Sequence, residues 1–270
     1  MFEVEAYNDN ITLVKTATAM EDGKPIMWAI AYLIEDIMID SGCPNALEDL
    51  EKYAAKTKVN EIYVTHPHED HYGGCSIFAP RSTIYAAEPD IKILKDPPVY
   101  PDFFQFVWGQ PRPLSDVEKL PDRFSVGDFE FEGIPLPGHW QHMVGFYEPH
   151  RKWLFSADAV PLPTRKFIAM PEENIPLMVD TMQKLTEMDI EVLFDAHKGP
   201  VENPREHIQA RIDFIKDIQK KAMILHEEGL SIKEIQDKLD LQGPWYIGLT
   251  EYRFRIDHFL NSLLFDKVEK

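Results

Sequence analysis

The run Thr65-His66-Pro67-His68-Glu69-Asp70-His71-Tyr72-Gly73-Gly74 places three histidines and one aspartate within six consecutive positions. It follows Glu61-Ile62-Tyr63-Val64, a short stretch of the kind that forms a buried strand. In extended chain, residues two apart point the same way, so His66 and His68 can grip one ion together. Asp70 and His71 then lie beyond a turn and face a neighbouring position. Neutral imidazole and carboxylate are the ligands that borderline ions such as zinc prefer. A purely structural role would require three imidazoles packed or solvated side by side.

Upstream, residues 11–20 and 26–39 are rich in Ile, Val, Thr and aromatics around a turn at Glu21-Asp22-Gly23-Lys24, which predicts a hairpin. Ser41-Gly42 stops the second strand, and Asn45 is expected to cap a helix running to about Lys58. Chemistry just past the end of a strand, after a β-α-β alternation, is the usual placement in layered α/β folds. Downstream, residues 95–121 carry six prolines among Tyr100, Phe103, Phe104, Phe106 and Trp108. Such proline density forbids a long regular element. The aromatics read either as a lid over a pocket or as a loop pinned to the core.

Strand signals return over residues 124–159, and a helix follows Pro171 with Ile175, Met178, Val179, Met182 and Leu185 on its core face. Another strand, 191–194, leads into Asp195-Ala196-His197. The remainder is helical in pattern: Pro204 opens a segment with Ile208, Ile212 and Ile215 in register, and Ser231 with Glu234 forms a capping box. Tyr252, Ile256, Phe259, Leu260 and Leu263 make a last amphipathic stripe. The expected organisation is a catalytic domain over 1–203 with a helical appendage over 204–270 packed on it.

The chain has 270 residues and a formal charge of −18, from 28 basic and 46 acidic side chains. So acidic a surface repels phosphate backbones and anionic lipid, which argues against nucleic acid and membrane surfaces as partners. Cys43 and Cys75 cannot build a disulfide framework and read as cytosolic thiols. With no signal peptide and no run of 18 apolar residues, the expectation is a cytoplasmic protein acting on a small molecule, with a homo-oligomer open.

The metal motif resembles that of the metallo-β-lactamase superfamily. His-x-His-x-Asp-His followed by x-Gly-Gly is met in full by His66, His68, Asp70, His71, Gly73 and Gly74. Leu136-Pro137-Gly138-His139, Leu154-Phe155-Ser156-Ala157-Asp158 and Asp195-Ala196-His197 resemble the later ligand motifs, and Ile39-Asp40-Ser41-Gly42 the early Asp-x-Gly turn. The resemblance implies an α/β (α+β) four-layer αβ/βα sandwich. It also implies two zinc ions, with Fe or Mn as alternatives: one on His66, His68 and His139, the other on Asp70, His71 and His197, and Asp158 bridging. Trp140-Gln141-His142 and Lys198 depart from the common pattern and alter the walls of the site.

The function implied is hydrolysis by a hydroxide bridging the two metals, at a carbonyl ester-type bond such as a thioester or lactone. Asp70, Tyr72 and His142 are the candidate catalytic residues. Tyr72 reads either as polarising a carbonyl oxygen or as strand-end packing, and His142 either as a proton donor or as a solvated loop residue. A small-molecule phosphodiesterase and a mononuclear-iron redox enzyme are the alternatives. Only 39 positions separate Asp158 from His197, too few for the inserted domain of nuclease branches.

Overall fold

The computed structural model describes residues 1–163 and 167–266. The first sheet has seven strands in sequence order, β1 (Phe2–Ala6), β2 (Ile11–Thr16), β3 (Ala29–Ile34), β4 (Ile37–Ile39), β5 (Glu61–Tyr63), β6 (Thr83–Ala86) and β7 (Glu118–Lys119). Strands β1 to β4 pair antiparallel, and β4 to β7 pair parallel. The second sheet has six strands: β8 (Arg123–Val126), β9 (Phe129–Pro135), β10 (Val144–Glu148), β11 (Trp153–Ala157), β12 (Val192–Asp195) and β13 (Gly199–Val201), in order 13-12-11-10-9-8.

Side-chain alternation sorts these strands into layers. Ile30, Tyr32 and Ile34 of β3 meet Phe146, Phe155 and Phe194 of the second sheet in an inter-sheet core. Ala29 and Ala31, on the opposite face of β3, pack with Leu50, Phe78 and Phe104 under the helices of the first sheet. Across the molecule, Leu154 and Leu193 pack against helix residues Met178, Met182, Ile208 and Phe259. Both faces of each sheet are thereby covered, giving the expected four layers. Burial on both faces also explains why 26–39 is almost uniformly apolar.

Helices α1 (Leu47–Ala54), α2 (Glu69–Tyr72), α3 (Cys75–Phe78), α4 (Ile91–Lys95) and α5 (Asp102–Val107) accompany the first sheet. Helices α6 (Ile175–Glu187), α7 (Pro204–Glu227), α8 (Ile232–Lys238) and α9 (Ile256–Phe265) follow. Asn174 caps α6 by accepting from the Leu177 amide, and the capping box at Ser231 and Glu234 is present on α8. The segment expected to be helical over 204–270 extends, at 267–270, outside the described residues. No described helix is long and apolar enough to cross a membrane.

Two sequence expectations need correction. The stretch 26–39 is not one strand: Glu35, at φ 53°, turns the chain between β3 and β4. Two consecutive charges, Glu35 and Asp36, stand at that turn. Asn45 caps no helix, because Pro44 begins a short 3₁₀ turn and α1 starts after Ala46. Its amide instead donates to Thr18 Oγ1 at 2.7 Å and to the Phe106 carbonyl at 3.0 Å, stitching the proline-rich segment to the first sheet.

The proline-rich segment contains only the short helix α5 and the strand β7. Tyr100, Phe104 and Trp108 are buried in the core beneath the first sheet, and Phe106 is exposed.

Gly138 sits at φ +138°, and a Cβ there would stand 2.4 Å from Met178 Cα on α6. Gly138→Ala is therefore expected to cost at least about 1–3 kcal/mol from backbone strain, before any displacement of α6 is counted. Urea unfolding should show a lower midpoint at an unchanged m-value.

Candidate metal centre

Asp40, just past β4, is held at φ 60° and is buried. Its Oδ1 accepts the Thr65 amide at 2.8 Å, and its Oδ2 accepts the Thr65 hydroxyl at 2.9 Å and His71 Nδ1 at 2.8 Å. The chain leaves β5 extended through His68, then α2 begins, so Asp70 and His71 project from its first turn. Glycine is required next for space. A Cβ on Gly73 would lie 2.2 Å from Pro44 Cδ, and one on Gly74 would lie 2.2 Å from the Ser41 carbonyl. That close approach lets the Ser41 amide reach the His71 carbonyl at 2.7 Å and the Gly74 amide reach the Gly42 carbonyl at 3.0 Å.

The second sheet supplies the rest. Asp158 follows β11 at a shift in strand register, where Ala157 takes φ 47° and re-aims the chain. His197 follows β12, and His139 stands in the loop between β9 and β10.

Three groups of side chains converge within reach of one ion each: His66, His68 and His139; His66, His71 and Asp158; and Asp70, His71 and His197. His66 Nε2 and His139 Nε2 lie 3.1 and 2.9 Å from His68 Nδ1. Asp70 Oδ2 is 3.6 Å from both His71 Nε2 and His197 Nε2. Asp158 lies between the groups, 3.4 Å from His139 Nε2, 3.3 Å from His197 Nε2 and 3.6 Å from His71 Nε2. Ligands at roughly 2.0–2.1 Å from a tetrahedral ion stand about 3.3 Å apart, which is the spacing observed.

Three of the outer ring nitrogens are occupied. His71 Nδ1 is held by Asp40, His139 Nδ1 by Glu173 Oε1 at 2.7 Å, and His197 Nδ1 by the Trp28 carbonyl at 2.7 Å. Each of those bonds puts the proton on Nδ1 and leaves the Nε2 lone pair facing inward. His71 Nε2 and Asp158 Oδ1 are buried without a hydrogen-bond partner, and they face each other. Donor atoms brought this close need a proton or a metal cation among them, and the mixed imidazole and carboxylate set fits divalent metal.

Electrostatics divides the cluster. Burial and the neighbouring His71 hold His66 well below the usual imidazole range, and burial and His139 do the same to His68. Burial would also lower His71 and His197, but the carboxylates outweigh it. Asp70, Asp40 and Asp158 push His71 up to about 9, and Asp158 and Asp70 push His197 up to about 10. Burial opposes ionisation of Asp158, yet His197 and His71 keep it well below the carboxylate range. Burial pushes Asp195 up to about 6 while it accepts the His197 and Lys198 amides.

A cavity of about 120 Å³ opens onto these residues. Asp70, His68, His139, Asp158 and His197 line it, with apolar walls from Met27, Phe104, Trp108, Leu162 and Met170. The proline-rich segment is thus both pinned to the core and part of the wall. Glu69 also faces the cavity, pushed up to about 8 by burial and Asp70.

Of the three candidate catalytic residues, Asp70 lines the cavity, whereas Tyr72 and His142 do not. Tyr72 falls on the far side of α2 and is buried among Cys75, Phe78 and their neighbours. Trp140 lies beside the site in place of His142. Its indole is edge-on to His68, with ring centroids 5.5 Å apart, and donates to Asp90 at 3.0 and 3.1 Å. Lys198 points away from the cavity toward His207, at 3.3 Å. Glu172, Glu173, Tyr246 and Arg253 escape a motif reading. Their sole trace in sequence is an acidic pair between Pro171 and the helix cap Asn174.

The model of the metallo-beta-lactamase superfamily matches residues 31–206. A hydroxyacylglutathione hydrolase of Idiomarina loihiensis is 22% identical over 246 residues, 89% of this chain and 79% of that protein. Another of that name, from Bdellovibrio bacteriovorus, is 29% identical over 133 residues, 46% of this chain and 43% of that protein. In its shorter matches the chain spans about half the length of its curated relatives. The structure of a metallo-beta-lactamase family protein from Thermus thermophilus superposes with TM-score 0.68 at 16% identity, covering 96% of this chain and 92% of that one. The chain belongs to the metallo-beta-lactamase superfamily.

Proposed function

We propose that the protein is a two-metal hydrolase, with zinc as the metal and a carbonyl ester-type bond, thioester or lactone, as the target. The observation that carries this reading is the inward convergence of the Nε2 atoms of His66, His71, His139 and His197 with His68 Nδ1 around Asp158. One ion would be held by His66, His68 and His139, the other by Asp70, His71 and His197, with Asp158 shared. Bound there, the ions supply Lewis acidity toward a carbonyl oxygen and lower the pKa of water to about 7.

The chain's own residues do the remaining work. Asp40, Glu173 and the Trp28 carbonyl fix the tautomers and ring planes of His71, His139 and His197. Asp70 and Asp158 hold negative charge at the cavity floor and orient the attacking water. Phe104, Trp108 and Met170 exclude bulk water and receive the apolar part of an acyl group. The name hydroxyacylglutathione hydrolase, borne by two relatives, supports a thioester as the bond cleaved. The acidic surface supports a small substrate over nucleic acid.

Elemental analysis of the purified protein is expected to find about two equivalents of zinc, and a thioester and lactone panel should yield turnover. His68→Ala is expected to lower kcat/KM at least about 100-fold. Turnover that survives that substitution would overturn the site assignment, and cleavage of a chromogenic phosphodiester with no ester turnover would overturn the substrate class. Glu173→Gln leaves the ligands in place but weakens the bond that orients His139. Metal affinity, read by chelator competition, should fall about 10- to 100-fold.

A further inference from the structure

Of the five imidazoles that converge on the centre, four have a partner for the ring nitrogen facing away from it. Asp40, Glu173 and the Trp28 carbonyl serve His71, His139 and His197. In the fourth, His66 Nδ1 donates to the Thr65 hydroxyl at 3.1 Å, whose own proton goes to Asp40. His68 differs. Its Nδ1 is the inward atom, and its Nε2 is buried without a hydrogen bond. The plane of a ring that lacks such a bond is set by packing alone.

Trp140 stands where that support is needed. Its indole meets the His68 ring edge-on, with centroids 5.5 Å apart and an interplanar angle of 71°. The indole is itself anchored, because Nε1 donates to both carboxylate oxygens of Asp90 at 3.0 and 3.1 Å. Asp90 is buried, and among the described residues the indole is the one donor to its carboxylate. A carboxylate and an N–H withdrawn from water each need a partner, so the two side chains hold one another in place. The rest of the indole packs against the core containing Leu154 and Met178. Asp90 follows β6 of the first sheet, and Trp140 lies in the loop between β9 and β10 of the second. The pair therefore spans the two halves that supply the candidate ligands. The indole also stands at a position where the chain departs from the common ligand motif.

We infer that Trp140 and Asp90 are positioning residues for His68: the anchored indole fixes the plane of the one candidate ligand ring that no hydrogen bond holds. The inference rests on the two-metal reading. It makes the two metal positions unequal. Both rings at the position of Asp70, His71 and His197 have outer hydrogen bonds, whereas the position of His66, His68 and His139 depends on the indole for one of its three. Loss of the brace is felt at that position and not at the other.

The test is zinc binding by the full chain, read by chelator competition. Trp140→Leu is expected to weaken one equivalent about 10- to 100-fold and to leave the other within about 2-fold. Asp90→Ala should weaken the same equivalent, and Asp90→Asn, which keeps an acceptor for the indole, should restore most of the affinity. In a His68→Ala background, read with a weaker chelator, Trp140→Leu should bring no further loss. A loss that persists there comes through the adjoining His139 or through the fold, and it overturns the inference. Unchanged affinity in Trp140→Leu, or equal weakening of both equivalents, does the same. Should Trp140→Leu not fold, Asp90→Ala and Asp90→Asn carry the same comparisons. Should the wild-type protein bind fewer than two equivalents, the two-metal reading fails separately, and imidazole NMR of the metal-free protein decides the point. Asp90→Ala, which leaves the indole present but unanchored, should then move the ring signals of His68 and not those of His197. His68 signals that stay in place refute the inference.

Discussion

The buried carboxylate of Asp40 is the constraint from which the site is built. It accepts from the Thr65 amide, the Thr65 hydroxyl and His71 Nδ1, and so ties the end of β4 to the end of β5 and to the first turn of α2. A buried carboxylate with several donors can relax only by losing charge-assisted bonds, so it fixes the start of the histidine run. The left-handed Asp40 and the glycines at 73 and 74 serve the same end, because they let α2 settle against the Ser41-Gly42 turn. Once that junction is set, His66, His68, Asp70 and His71 have little freedom left.

The opposite wall depends on α6. Its cap residue Asn174 donates its amide to the Gly138 carbonyl at 2.8 Å, and the Thr181 hydroxyl donates to the Pro137 carbonyl at 2.6 Å. The loop carrying His139 is thereby clamped onto a helix that is itself buried against α7 and α9. Ser262 of α9 accepts the Ile175 amide at 2.8 Å, which extends the chain of support to the C-terminal helices. Helices distant in sequence from the histidine cluster thus set the position of one of its members.

What could be read from sequence follows from locality. His66, His68, Asp70 and His71 fall within six positions, and their period-2 spacing and the following glycines carry geometric meaning without a partner. The β-branched run that forms β2 and the capping box at Ser231 are equally local, and both are present. The turn at Glu35 and the 3₁₀ start at Pro44 went unread because a continuous apolar run and a good capping residue outweighed them. Tyr72 and His142 are suited to catalysis by adjacency alone, but Tyr72 is buried in the core beneath the first sheet and neither side chain lines the cavity. Glu173 and Arg253 act only through folding, since neither has a sequence neighbour that reveals its task.

The C-terminal segment also approaches the candidate ligands through one carboxylate. His68 has its Nδ1 among the inward-facing atoms, so the neutral ring carries its proton on Nε2, which is buried and without a hydrogen bond. The acceptor facing that nitrogen is Glu172 Oε1 at 3.9 Å, the oxygen that Arg253 holds at 2.6 Å. At 3.9 Å the approach to His68 is no hydrogen bond, so that oxygen is engaged by Arg253. Arg253 and His68 therefore face one carboxylate oxygen, which joins the segment before α9 to the histidine cluster.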